Sequence, residues 1–244
     1  MKNYRFLAFI WATLSLIGCN NIAKPTLPEF ETFTYEVSDD ESYTVKIAYQ
    51  RIKNIEDSDI FAKIEMQNYL NSFEGHEAMT DSTPEVDLEA SAKLLVEEYA
   101  GYAFEGGPMC WYSMDQTSFF VRDNTVLCYE TLLESYTGGV HGGSALWYEC
   151  FDLATGGLYD FGYLLDGEWE AAIKELIYAK LTSENNIIVE SAEHLPPFST
   201  ATLSEQGVVI VYQPYEVASF DEGIIAVEIS DAEISAAGAP LLWE

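Results

Sequence analysis

The sequence predicts an α+β protein, built as two closely packed α/β subdomains with mainly antiparallel sheets and three main helices. Three observations carry that expectation. Helical patterns alternate with groups of strands instead of single strands, which argues against a parallel doubly wound sheet. Apolar residues recur with period two in some segments and with helical spacing in others. With 48% apolar and 14% aromatic residues among 244, the chain can bury a substantial core and does not have the composition of a disordered one.

In chain order, the fold proper begins near Phe30, after a polar stretch with Pro25 and Pro28 that reads as a tether. Tyr43, Val45, Ile47 and Tyr49 alternate with polar or small residues and predict a half-buried strand. Asp57-Ser58-Asp59 opens a helix carrying Ile60, Phe61, Ile64, Tyr69, Leu70 and Phe73, with Gly75 at its end. Thr83 as N-cap and Pro84 at the first helical position predict a second helix through Leu88, Ala92, Leu95, Tyr99 and Tyr102, broken by Gly106-Gly107-Pro108. Residues 111–133 read as two strands about a turn at Arg122-Asp123-Asn124, and residues 145–153 as another. Asp166 is the expected N-cap of a third helix, whose stripe is Trp169, Ala172, Ile173, Leu176, Ile177 and Leu181. Residues 207–212 and 224–229 are short apolar strands.

Residues 1–18 read as a secretory signal, with Lys2 and Arg5 ahead of an apolar run too short to span a bilayer. Leu16-Ile17-Gly18-Cys19 resembles a bacterial lipobox, so Cys19 is the expected lipidation site and residues 19–29 the lipidated tether. The expected location is the bacterial cell envelope, membrane-anchored through N-terminal lipid. Asn20 after the lipid cysteine leans towards an outer-membrane or periplasm-facing position.

The chain has 11 basic and 41 acidic residues. Loss of Lys2 and Arg5 leaves 9 against 41, a formal charge of −32. Nucleic acid is excluded as a partner, since binding it requires Lys and Arg to neutralise phosphates. Such a surface favours solubility and attracts cationic partners.

Cys110, Cys128 and Cys150 remain after Cys19. If the intervening loop closes a hairpin, Cys128 and Cys150 face each other and form the candidate disulfide, with three unpaired thiols as the alternative. No C-x-x-C spacing supports a metal, and no cofactor motif is present: Gly142-Gly143-Ser144 is neither a P-loop ending nor a nucleophile elbow.

Three motifs occur in fixed order: the Gly-rich Tyr136-Thr137-Gly138-Gly139-Val140-His141-Gly142-Gly143-Ser144, then Phe151-Asp152-Leu153-Ala154-Thr155-Gly156, then Val211-Tyr212-Gln213-Pro214-Tyr215-Glu216. Residues from about Tyr43 to Gly142 resemble the PdaC N-terminal-like domain, and those from about Trp147 to Ile234 resemble the RsiV C-terminal domain. The resemblance divides the chain into 30–144 and 145–244. It implies an envelope lipoprotein whose function is largely unknown. In RsiV-type anti-sigma factors the pair is the extracytoplasmic, lysozyme-binding part of a receptor, and in PdaC-type enzymes the first domain accompanies a deacetylase. This sequence has no internal transmembrane or anti-sigma segment, no Thr-Phe-Asp-Asp-Gly run and no His-x-x-x-His pair.

The candidate binding residues are Thr137, Gly138, Gly139, His141, Gly142 and Tyr215. The glycines permit positive φ and close approach, and His141 can hydrogen-bond a sugar or carboxylate; a bulged β connection is the structural alternative. Tyr215, with Tyr212 and Phe220, offers stacking or fills the core. No catalytic set stands out, because 41 acids supply carboxylate pairs by chance. The expected function is a non-enzymatic, lipid-anchored binding module for a cationic protein such as lysozyme or a cell-wall glycan. The alternatives are an envelope hydrolase or esterase using His141, and a purely structural lipoprotein.

Overall fold

The computed structural model describes residues 26–39, 41–78, 86–103, 107–184 and 186–243. The signal segment and Cys19 lie outside them. Phe30–Asp39 (β1) and Tyr43–Ile52 (β2) form an antiparallel pair. Asp59–Ser72 (α1) and Leu88–Tyr102 (α2) then carry the chain to Cys110–Val121 (β3), which runs parallel to β2. Val126–Tyr136 (β4), Gly143–Asp152 (β5) and the two-residue Gly157–Leu158 (β6) extend the sheet as an antiparallel meander. This six-stranded sheet has the order β1 to β6. Glu170–Glu184 (α3) leads to a second, three-stranded antiparallel sheet of Thr200–Leu203 (β7), Gly207–Tyr212 (β8) and Ile225–Ser230 (β9). Asp231–Ala236 (α4) closes the chain. The fold is α+β, with mostly antiparallel strands and three helices of seven or more residues. No helix among the described residues is long and apolar enough to cross a membrane.

Side-chain alternation explains the layers. On β4, Leu127 and Tyr129 join Ile52, Phe61, Ile64 and Phe151 under α1, whereas Val126 and Cys128 point the other way into a core with Ile173, Ile177 and Leu181 of α3 and the small sheet. Val126 to Tyr129 are therefore all buried, as expected of a strand covered on both faces. A third cluster packs Val45, Ile47, Tyr49 and Met114 against Tyr69, Phe73, Ala92 and Leu95. Cys128 and Cys150 are direct register partners, 4.1 Å apart at Cα, and are joined as a disulfide; Cys110 is buried and free.

Two helix starts differ from the sequence expectation. Thr83, Pro84 and Gly106 lie outside the described residues, and α2 begins at Leu88, capped by Asp87 whose carboxylate accepts from Ala90 N at 2.9 Å. Asp166 does not cap α3. It follows a 3-10 turn at Phe161–Leu165, and the helical bonding starts at Trp169, whose carbonyl accepts from Ile173 N. The Trp169 indole donates back to Tyr163 O at 3.0 Å, so the tryptophan fixes the entry. For α1 the reading holds, because Ser58 accepts from Ile60 N. The turn at residues 122–124 also holds, with all three residues at positive φ.

The two sheets meet without pairing strands. β6 covers only Phe151 and Asp152 of β5. Further back, the Gln213 side chain takes the edge groups of Leu146, accepting from its N at 3.0 Å and donating to its O at 2.6 Å. Thr200 Oγ1 does the same for Tyr148, at 3.0 and 3.2 Å. The position 144/145 lies near the start of β5, inside the large sheet.

Candidate functional site

The Gly-rich stretch is the β4–β5 hairpin loop. Gly138 and Gly139 have φ of 111° and 104°, Tyr136 Oη donates to Gly139 O at 2.9 Å, and Val140 is fully exposed. A Cβ on Gly142 would lie 2.8 Å from Ser135 O and 3.3 Å from the Trp111 ring, so close approach demands glycine there. Thr137 lies at the start of this turn.

His141 and Tyr215, drawn from different motifs, come together. The His141 ring stacks on Phe220 at 4.0 Å between centroids, and Tyr215 lies 5.3 Å from Phe220. His141 Nδ1 bonds to the Gly142 carbonyl at 2.8 Å, which requires the proton on Nδ1. Nε2 is then the acceptor for Tyr215 Oη at 3.2 Å. Tyr215 holds φ of 75° and is 61% exposed. Glu216 beside it accepts from Gln213 N and Ser199 Oγ, fixing the turn that delivers the tyrosine. The histidine is therefore occupied on both nitrogens and one ring face, which makes the cluster a clasp between the two sheets with an aromatic outer edge.

The Phe151–Gly156 motif is the β5–β6 turn. Asp152 accepts from Ala154 N and Thr155 Oγ1, and Lys63 of α1 donates to Thr155 O. Ser58 caps α1 by accepting from Ile60 N, while Asp57 ends the preceding 3-10 turn and accepts from the Asn54 side chain.

The large concavity lies elsewhere. A cleft of about 840 Å³ opens between the C-terminal end of α1, the middle of α2 and the β3–β5 face of the large sheet. Trp147, Tyr99 and Tyr112 supply its aromatic walls, and Glu74, Glu77, Glu98 and Glu149 its carboxylates. None of its described lining residues is lysine or arginine. Glu98 bonds to Tyr102 Oη at 2.6 Å and to His76, and these bonds hold its carboxyl below the usual range. Glu149 is the opposite case. Burial pushes its carboxyl up to about 7, against the single bond donated by Asn71 Nδ2. Among the described residues no group of His, Cys, Asp or Glu could hold a metal.

Behind the cleft floor lies a buried polar network. Glu65 is raised to about 7 by burial, partly offset by bonds from Ile52 N at 2.7 Å and Tyr49 Oη at 3.2 Å. Gln116 Nε2 donates to Asn68, Ser72 and Thr131, linking α1 to the sheet. Sequence reasoning did not single out Glu149, Trp147 or Glu98; the available signal was a glutamate in phase with Trp147 and Phe151 on one face of β5.

From Leu164 to Ala232, spanning the end of the 3-10 turn, α3 and the small sheet, the chain matches the family model described as "Protein of unknown function (DUF3298)". Residues 164–232 are a DUF3298 domain. The whole fold is similar to that of a DUF3298 family member from Bacteroides fragilis, with a TM-score of 0.69 at 13% identity over 85% of this chain and 92% of that one. It is also similar to a DUF3298 family protein from Pseudomonas aeruginosa, with a TM-score of 0.55 at 15% identity over 86% and 94%. At these identities the likeness concerns the fold. No curated protein matches the chain. The DUF3298 domain supplies Thr200, Gln213 and Tyr215, so it contributes the small-sheet half of the joint and of the aromatic clasp. The cleft belongs mainly to the residues before it.

Proposed function

We propose that this protein is a non-catalytic, lipid-anchored envelope module that binds a cationic partner, of which a basic protein such as lysozyme is the expected example. The observation that carries the reading is the cleft, a concavity of about 840 Å³ walled by aromatic rings and carboxylates with no described lysine or arginine in its lining. Aromatic faces and carboxylates together favour guanidinium and ammonium groups. The net charge of −30 would speed their encounter at low salt. The RsiV-like resemblance of the second half and the lipobox before Cys19 support the envelope setting.

Titration of the purified protein with hen lysozyme tests the partner. Saturable binding is expected, weakening steeply between 50 and 300 mM salt on the order of tenfold or more. Retention equal to that of an unrelated protein of the same net charge would refute it. Cys19→Ala tests the anchor and is expected to move the protein from the membrane fraction to the soluble one.

A hydrolase reading has one observation in its favour, the raised carboxyl of Glu149 in a cleft that holds other acids. It requires turnover of a wall polysaccharide that Glu149→Gln abolishes. His141 does not carry this reading, since its ring is spent on the clasp.

A further inference from the structure

The cleft has a defined inner end. Trp147 and Glu149 are two residues apart on β5 and so share the face that looks towards the helices, with Tyr129 directly opposite Glu149 on β4. Glu149 receives one hydrogen bond from the described residues, from Asn71 to Oε1, which leaves Oε2 able to accept another. The Tyr129 hydroxyl is wholly buried and has no hydrogen-bond partner among the described residues. A half-buried carboxylate with an unused oxygen and a fully buried hydroxyl with no partner are both costly, and they are cross-strand neighbours.

We propose that Glu149 is the receptor for a single lysyl or arginyl side chain of a protein partner, whose cationic head reaches the Glu149 carboxylate while its aliphatic stem lies along Trp147. The inference rests on the cation-binding reading above and names the residue that does the work. The ligand is an extended cationic side chain because the half-buried carboxylate stands opposite the fully buried Tyr129, whereas Trp147, two residues earlier on the strand, is 42% exposed. An ammonium or guanidinium also supplies a donor for Glu149 Oε2, to which none of the described residues hydrogen-bonds. The titratable and polar groups around the carboxylate are Asn71 of α1, Tyr129 of β4 and Tyr49 of β2, with Glu98 of α2 and Glu74, His76 and Glu77 of the segment after α1 around the rest of the cleft. Ionised Glu149 is the binding form. A ligand cation therefore displaces the proton that burial retains near neutral pH, and binding strengthens from pH 6 to pH 8.

The test uses the intact chain and two peptides, acetyl-Gly-Lys-Gly-amide and its norleucine counterpart, followed by the Asn71 side-chain amide resonances, which lie against Glu149. The lysyl peptide is expected to bind and the norleucine peptide not. Glu149→Gln is expected to weaken the lysyl peptide by about tenfold or more, while Glu193→Gln on an exposed turn leaves it unchanged. Trp147→Leu, which keeps Glu149, is expected to weaken the lysyl peptide as well. Equal binding of both peptides, or equal losses in Glu149→Gln and Glu193→Gln, would overturn the site. Lysozyme binding that survives Glu149→Gln intact would overturn this site and leave the partner standing. Lysyl-peptide binding without lysozyme binding would support the site and remove lysozyme as the partner.

Discussion

At the residue scale, the chain keeps two glutamates under conditions that oppose their charge. Glu65 is 5% exposed and its carboxyl is raised from about 4.5 to about 7, chiefly by burial. The sign follows from linkage: between pH 4.5 and 7 the unfolded chain gives up this proton and the folded chain keeps it, so its contribution to stability falls as pH rises and is lowest above 7. Glu65→Gln keeps one acceptor oxygen, for Ile52 N, gives up the one that accepts from Tyr49 Oη, and cannot ionise. Urea unfolding should therefore show the variant gaining on the parent by up to about 3 kcal/mol between pH 4.5 and 8, an order-of-magnitude figure from the size of the shift. A constant difference across that range would contradict the assignment. His141 poses a different question. Because its two ring bonds and its stacking on Phe220 are local and exposed, His141→Ala should cost about 1 kcal/mol in thermal or urea unfolding and leave the cleft's ligand binding unchanged.

At the element scale, the joint between the sheets depends on side chains that imitate a strand. Gln213 and Thr200 each satisfy both edge groups of a β5 residue. Gln213→Ala should cost about 1–3 kcal/mol and raise amide exchange at Leu146, because two polar backbone groups lose their partner. This is also where legibility in the sequence divides. Helical stripes made α1 and α3 readable, period-two alternation made β2 so, and a continuous apolar run made β8 so. Thr200–Leu203 was missed as a strand because four residues buried on every side show no alternation. The start of α2 was misplaced because Thr83-Pro84 is the stronger local signal, while the helix takes the later Asp87 cap. The clasp residues His141 and Tyr215 could be named in advance from their Gly- and Pro-bearing loops, but their meeting across 74 positions could not, because it is tertiary. Glu149 escaped notice for the same reason: one acid among 41 gains meaning only when a cleft forms around it.

At the scale of the whole molecule, Arg122 binds the parts together. It ends β3 at φ of 57°, an uncommon conformation for a long side chain, and is held there by its contacts with the small sheet. Its guanidinium bonds to both oxygens of Asp231 at 2.5 and 3.0 Å and to Gly207 O at 3.2 Å and lies over the Trp243 ring at 5.7 Å, and the Arg122 backbone N–H donates to Glu205. Arg122→Met should cost about 3 kcal/mol by leaving the Asp231 carboxylate without its cation and with only the Trp243 indole as a side-chain donor, and should blunt the single unfolding transition as the sheets uncouple. The Cys128–Cys150 bridge closes the hairpin next to the same core, and its reduction should lower stability by about 2–4 kcal/mol in urea. These ties hold β5 in place against both neighbours, so the cleft is built on a strand with little freedom to move. That rigidity suits a site formed in advance for a charged side chain. The most direct test of this account is hydrogen exchange of the intact chain with and without saturating hen lysozyme at physiological salt. The account predicts protection concentrated at residues 70–77, 95–99 and 145–149. Protection confined to the His141–Tyr215 clasp, or spread evenly over the acidic surface, would contradict it.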